Sequence, residues 1–179
     1  YAKIGVGKST GTKLISACGN IKKQGVYEID MTISVEEFIY SDEYCGGIAN
    51  GKRLKACIAG GSSVPILPAN LLLTTAKGEK RMMNYESLSD GGFATGTMMG
   101  SGGFIVLDET QCVVKHTFTL ARFYRHESCG QCSPCREGTG WMEKILKKID
   151  SGKGSSSDID LLWDIQRKIE GNTICPLGD

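Results

Sequence analysis

The sequence predicts an α+β chain: a small sheet-and-helix unit followed by a helical bundle. Three observations carry that expectation. Short alternating runs separated by glycine-rich turns fill the first half. After Asp108 the apolar residues recur at helical spacing. Three cysteines at equal two-residue gaps, Cys129, Cys132 and Cys135, interrupt the helical half, and Cys175 stands far downstream.

The 179 residues suffice for one large domain or two small ones. A net charge of +1 argues against a nucleic-acid binder driven by a general basic field. No apolar run approaches the ~20 residues that a membrane span needs. The chain opens without Met and without a signal-peptide pattern. Cys175 is followed only by Pro176 to Asp179, and chain ends fray. Both ends lead to the expectation of a piece of a longer protein. The eight cysteines form a tight trio plus scattered singles. That distribution in a chain of this size favours reduced thiols over a disulfide framework.

Residues 1–11 read as a flexible lead-in. Gly5-Val-Gly-Lys-Ser-Thr10 resembles the end of a phosphate loop, but the Gly needed five positions before Gly7 is Ala2. Lys13 to Cys18 and Val26 to Ile29 read as a hairpin. Ser34 to Glu37 is a capping-box pattern that opens a helix with Val35, Phe38 and Ile39 on one face. Leu54 to Ala59 is a strand, and Val64 to Leu67, broken by Pro65, is an edge strand. Two strands, a helix and a strand in this span predict a β-grasp domain over residues 12–67. Cys18, Cys45 and Cys57 are expected to be small core residues there. Residues 68–108 read as a glycine-rich connection ending in the strand Phe104 to Leu107. A dinucleotide fingerprint starting at Gly100 fails at Ile105, so these glycines are assigned to turns and close packing.

Residues 109–179 read as a helical bundle. One helix carries Val114, Phe118, Ala121 and Tyr124, and a second carries Trp141, Met142, Ile145, Leu146 and Ile149. A third is expected to be capped by Ser157 to Asp160, with Leu161, Leu162, Ile165 and Ile169 inward and Gly171 as its stop. The cysteine trio falls between the first two.

Thiolate ligands admit zinc, copper(I) or an iron–sulfur cluster. Zinc sites more often pair two cysteines with two more, or with histidine, around one ion. Three close thiolates and one distant thiolate suit the wider spacing of a four-iron cube, and Cys175-Pro176 fits the Cys-Pro closure of ferredoxin-type runs. A thiol–disulfide pair in a Cys-x-x-Cys and a zinc site that recruits His126 are the competing readings. Arg122, Arg125 and Arg136 flank the trio, where positive charge would favour an anionic cluster.

The run from Arg122 through Glu127-Ser-Cys-Gly-Gln-Cys-Ser-Pro-Cys-Arg-Glu-Gly-Thr-Gly-Trp141, with Glu170-Gly-Asn-Thr-Ile-Cys-Pro-Leu-Gly-Asp179, closely resembles the NADH-binding flavoprotein subunit (the F subunit) of NADH:quinone oxidoreductase, respiratory complex I. Ser9 to Lys13 with Gly25 to Tyr27 resembles the start of that family's soluble-ligand-binding β-grasp domain, and Gly100 to Glu109 the strand leading to its cluster domain. The resemblance implies [4Fe–4S] ligation by Cys129, Cys132, Cys135 and Cys175, no catalytic residue in this chain, and an electron-transfer role after FMN, itself reduced by NADH. It implies that the FMN and NADH sites lie outside this chain, which would not oxidise NADH alone. It implies partners among the peripheral-arm subunits of complex I, in particular the thioredoxin-like [2Fe–2S] subunit. It also implies a peripheral position on the cytoplasmic side of a bacterial inner membrane, or the matrix side in mitochondria. Diaphorase subunits of NAD-linked hydrogenases and formate dehydrogenases share the cluster motif and form the first alternative. A zinc-stapled interaction module is the second.

Overall fold

The structure, a computed structural model, describes residues 3–179. Tyr1 and Ala2, the latter the position that breaks the phosphate-loop pattern, lie outside the described residues. The chain divides into two compact units, one ending at Gln111 and one running from Cys112 to Asp179.

The first unit opens with a hairpin, β1 (Gly5–Val6) and β2 (Ser9–Thr10). This corrects the flexible lead-in. Ser9 is buried because its hydroxyl donates to the Glu86 carboxylate and accepts from the Tyr85 N–H at 3.1 Å, while the Lys8 N–H donates to Glu86 at 3.0 Å. A five-stranded sheet follows, built from β3 (Lys13–Gly19), β4 (Gly25–Ile29), β5 (Leu54–Ala59), β6 (Ile66–Pro68) and β7 (Gly103–Asp108). Its order is β4-β3-β7-β5-β6, with β3 and β7 parallel and the other pairs antiparallel. β7, read from sequence as the end of a connection, is the central strand. Its residues Phe104, Val106 and Leu107 are buried. β6 is an edge strand, where its proline withdraws no ladder donor from the interior.

The helix α1 (Val35–Tyr40) lies on this sheet. Ser34 caps it by accepting from the Glu37 N–H at 3.0 Å, and Val35, Phe38 and Ile39 are buried. The Phe38 ring meets Phe104 edge-on at 5.2 Å and Tyr27 at 5.7 Å between centroids. Contacts of this kind are worth about 1 kcal/mol each beyond the area they bury.

Short helices α2 (Ala69–Leu73), α3 (Tyr85–Leu88) and α4 (Gly92–Thr95) cover the run between β6 and β7. Arg81 organises this run from within, fully buried. The glycines near its end pack main chain against main chain. Gly60 has φ +126°, and a Cβ there would stand 1.8 Å from the Met98 carbonyl oxygen. Cys45 and Cys57 are core residues, but Cys18 is exposed. Ile15 and Ala17 take the inward positions of β3, so the strand's alternation turns Cys18 to solvent.

The second unit consists of α5 (Val113–Glu127), α6 (Ser133–Asp150) and α7 (Ser156–Ile169). The cap of α7 sits two residues earlier than its sequence suggested. Ser155 and Asp158 form the capping box, with Ser155 N–H donating to Asp158 at 2.7 Å. Lys148 at the end of α6 fixes Asp158 through two bonds of 2.8 Å and so selects this register. The inward stripe of α7 is narrower than expected: Ile165 and Ile169 are buried, whereas Leu161 is exposed. Trp141 of α6 is exposed as well. No helix among the described residues is long and apolar enough to cross a membrane.

Candidate metal centre

The turn from α5 to α6 presents the cysteine trio. Cys129 lies in the turn and is exposed; Cys132 immediately precedes α6 and is half-buried; Cys135 sits in the first turn of α6 and is buried. The local sequence explains the turn. Ser128 ends α5, and Gly130 takes φ +77°, a left-handed value that glycine adopts freely. Pro134 stands where a helix has no partner for an N–H, so its missing donor costs nothing. Arg136 ties the turn together. Its guanidinium donates to the Gly130 carbonyl at 2.7 Å, to Ser133 Oγ at 3.2 Å and to Glu137 at 3.0 Å.

The folded tail that carries Cys175 reaches this turn at Gly178. Gly171, at φ +72°, releases the chain from α7. The Asp179 carboxylate then accepts from the Gly171 N–H at 2.9 Å and lies 2.9 Å from Thr173 Oγ1, which is also 2.9 Å from the Cys175 carbonyl oxygen. The loop packs back so closely that a Cβ on Gly178 would stand 3.1 Å from Cys135 Cβ. Gly138 allows the approach of α7, since a Cβ there would be 2.6 Å from Ile169 Cδ1.

The tail thus brings the Cys175 loop into the neighbourhood of the trio. Among the described residues, however, no three Cys, His, Asp or Glu side chains converge as one bound metal ion requires. His126 is highly exposed and holds its Nδ1 2.9 Å from Glu127. Arg125 pairs with Glu143 on α6, so its charge is committed within the bundle. The positive end of α6 lies at Cys132 and Cys135, and it suits negatively charged ligands. An all-thiol donor set beside a helix N-terminus fits an iron–sulfur group.

Sequence reasoning passed over Ser128. Its Oγ lies 3.2 Å from Cys135 Sγ and accepts from the Gly130 N–H at 3.3 Å. Its only signal was a hydroxyl directly before the first cysteine. A groove of about 610 Å³ between α6 and α7, lined by Pro134, Trp141, Ile145, Leu161 and Ile165, also escaped the sequence, because it depends on how the two helices splay.

Known proteins resemble this chain along its whole length. Residues 115–179 match the family described as the NADH-ubiquinone oxidoreductase-F iron-sulfur binding region. The whole chain is 40% identical to the NADH-quinone oxidoreductase F subunit numbered 2 in Rhizobium meliloti (strain 1021), covering 39% of that protein. It is 42% identical to the NADH-quinone oxidoreductase F subunit of Rickettsia bellii (strain OSU 85-389), covering 40% of it. In three dimensions, 99% of the chain superimposes on 28% of a chain in the H2-reduced NAD+-reducing [NiFe]-hydrogenase, with a TM-score of 0.78 and 25% identity. The chain spans about two fifths of the length of the curated relatives it matches. The chain is thus similar across all of its residues to NADH-quinone oxidoreductase F subunits, and over its helical half to their iron–sulfur binding region.

Proposed function

We propose that this chain is the electron-transfer part of an NADH-quinone oxidoreductase F subunit and holds a [4Fe–4S] cluster through Cys129, Cys132, Cys135 and Cys175. The observation that carries the ligand set is the folded tail, which brings the Cys175 loop onto Cys135 through Gly178. When bound, the cluster supplies a one-electron redox couple. The residues of the chain do the rest. Arg136 and Gly130 fix the turn that presents Cys129 and Cys132. Gly138 lets Ile169 of α7 pack against the start of α6, beside the buried Cys135. NADH and FMN bind in other parts of the whole protein, and the electrons leave toward other subunits of complex I, the thioredoxin-like [2Fe–2S] subunit among them. The assembly works on the cytoplasmic or matrix side of its membrane.

The first unit is a β-grasp in this reading. The parallel pair β3 and β7 at the sheet centre, flanked by the antiparallel strands β4 and β5, supports it, as does α1 lying on the sheet. The likeness to the NAD+-reducing hydrogenase favours a second machine, a diaphorase with the same cluster. Identifying the proteins that co-purify with the full-length chain decides between them.

Reconstitution with iron and sulfide tests the site. The expected product is brown, carries about four irons and gives an EPR signal on reduction. A colourless protein holding one zinc overturns the proposal. Cys175→Ser is expected to prevent a stable four-iron cluster, and unchanged iron content removes Cys175 from the ligand set.

A further inference from the structure

We infer that Ser128 sets the reduction potential of the cluster by donating its hydroxyl hydrogen to Cys135 Sγ. The inference rests on the ligand set proposed above. Ser128 Oγ and Cys135 Sγ are 3.2 Å apart. Sulfur bound to iron is a thiolate and has no hydrogen to give, so the hydroxyl is the donor. The Gly130 N–H points at the same oxygen from 3.3 Å. It occupies a lone pair and leaves the hydroxyl hydrogen free to turn toward sulfur. Cys135 is the one buried member of the four, so this bond is the least diluted by water.

A donor hydrogen bond strengthens as negative charge builds on its acceptor. It therefore favours the reduced state over the oxidised state and raises the potential. The arginines are less suited to this task. Arg125 is paired with Glu143, and Arg136 with Glu137 and the carbonyl of Gly130. Both of these positive charges have an anionic partner, whereas the Ser128 hydroxyl has no competing acceptor among the described residues. Ser128 touches a ligand rather than a reacting atom, and it is a positioning residue.

The test is an EPR-monitored redox titration of the full-length protein carrying its cluster, with Ser128→Ala and Ser128→Thr variants. The alanine variant is expected to keep about four irons and to lose about tenfold in the reduction equilibrium, a fall of about 59 mV for a one-electron couple. The threonine variant is expected to titrate with the native protein. Equal potentials in native and alanine proteins overturn the inference, as does a threonine variant that follows alanine. If the alanine variant loses its iron, Ser128→Thr is compared with Ser128→Val, its isostere without the hydroxyl. Equal potentials in that pair, or loss of iron from both, overturn the inference too. A native protein that holds no four-iron cluster fails at the ligand set instead, and iron analysis separates that failure from a failure of the tuning role.

Discussion

Arg81 donates from all five of its N–H groups to main-chain carbonyls, those of Leu71, Thr74, Ser87, Leu88 and Thr95. Burial pulls its pKa below the ordinary guanidinium value, against an opposing pull from Asp90. Lysine has three donors and cannot serve five acceptors. Arg81→Lys is therefore expected to destabilise the first unit, and Arg81→Met to do so by about 3 kcal/mol or more, because the orphaned carbonyls stay buried. Urea denaturation followed by circular dichroism measures both. The scattered cysteines give a second residue-scale expectation. Burial pushes the Cys45 thiol up to about 12 and raises Cys57 well above the usual thiol range. In the cluster-free protein, iodoacetamide should label Cys18 and Cys112 while sparing Cys45 and Cys57, as mass spectrometry of the digested protein would show. Arg81 was illegible in the sequence because nothing local distinguishes a buried arginine from a surface one. Cys18 was misread as a core residue, although the alternation of β3 assigns it the outward face.

At the scale of elements, the turn between α6 and α7 is held by one carboxylate. Bonds from Lys148, then from Ser155, depress the Asp158 pKa to about 2. Its contribution is complete above the unfolded value near 3.8 and disappears as the pH falls toward 2. Thermal melts of native and Asp158→Asn proteins should therefore converge between about pH 4 and pH 2 and differ above it, the native protein melting higher. Ser155→Ala removes the hydroxyl half of the box and should cost about 1 kcal/mol. The capping box was visible in the sequence as a composition of Ser and Asp, but its register was not. Ser155 to Asp158 and Ser157 to Asp160 offer the same pattern, and only Lys148, one helix away, distinguishes them. The inward stripe of α7 fared likewise. Helical spacing picked out Ile165 and Ile169, yet it admitted Leu161, which the width of the α6 contact leaves in solvent.

Across the whole molecule, apolar burial is uneven. The contiguous core lies in the first unit, whereas the second buries only Ala121, Cys135, Leu146, Ile165 and Ile169 among its described apolar residues. Ligation of the proposed cluster supplies cross-links that a thin core lacks. Removing the cluster should speed hydrogen exchange throughout residues 112–179 and leave β3, β5 and β7 protected, which exchange followed by mass spectrometry resolves. The two-part architecture was legible because the hydrophobic period changes after Asp108. The central place of β7 was not, since a parallel pairing with β3, so distant along the chain, leaves no local trace. The contact of Gly178 with Cys135 also bears on biosynthesis. The trio leaves the ribosome about 40 residues ahead of Cys175, a lag of about 2–8 s at ordinary elongation rates. With the ligand set proposed above, the nascent chain during that interval exposes three thiols with no fourth to close the set. Cofactor delivery to a complete site accordingly waits until translation has passed the tail, and a carrier that arrives earlier meets an open, oxidisable cup.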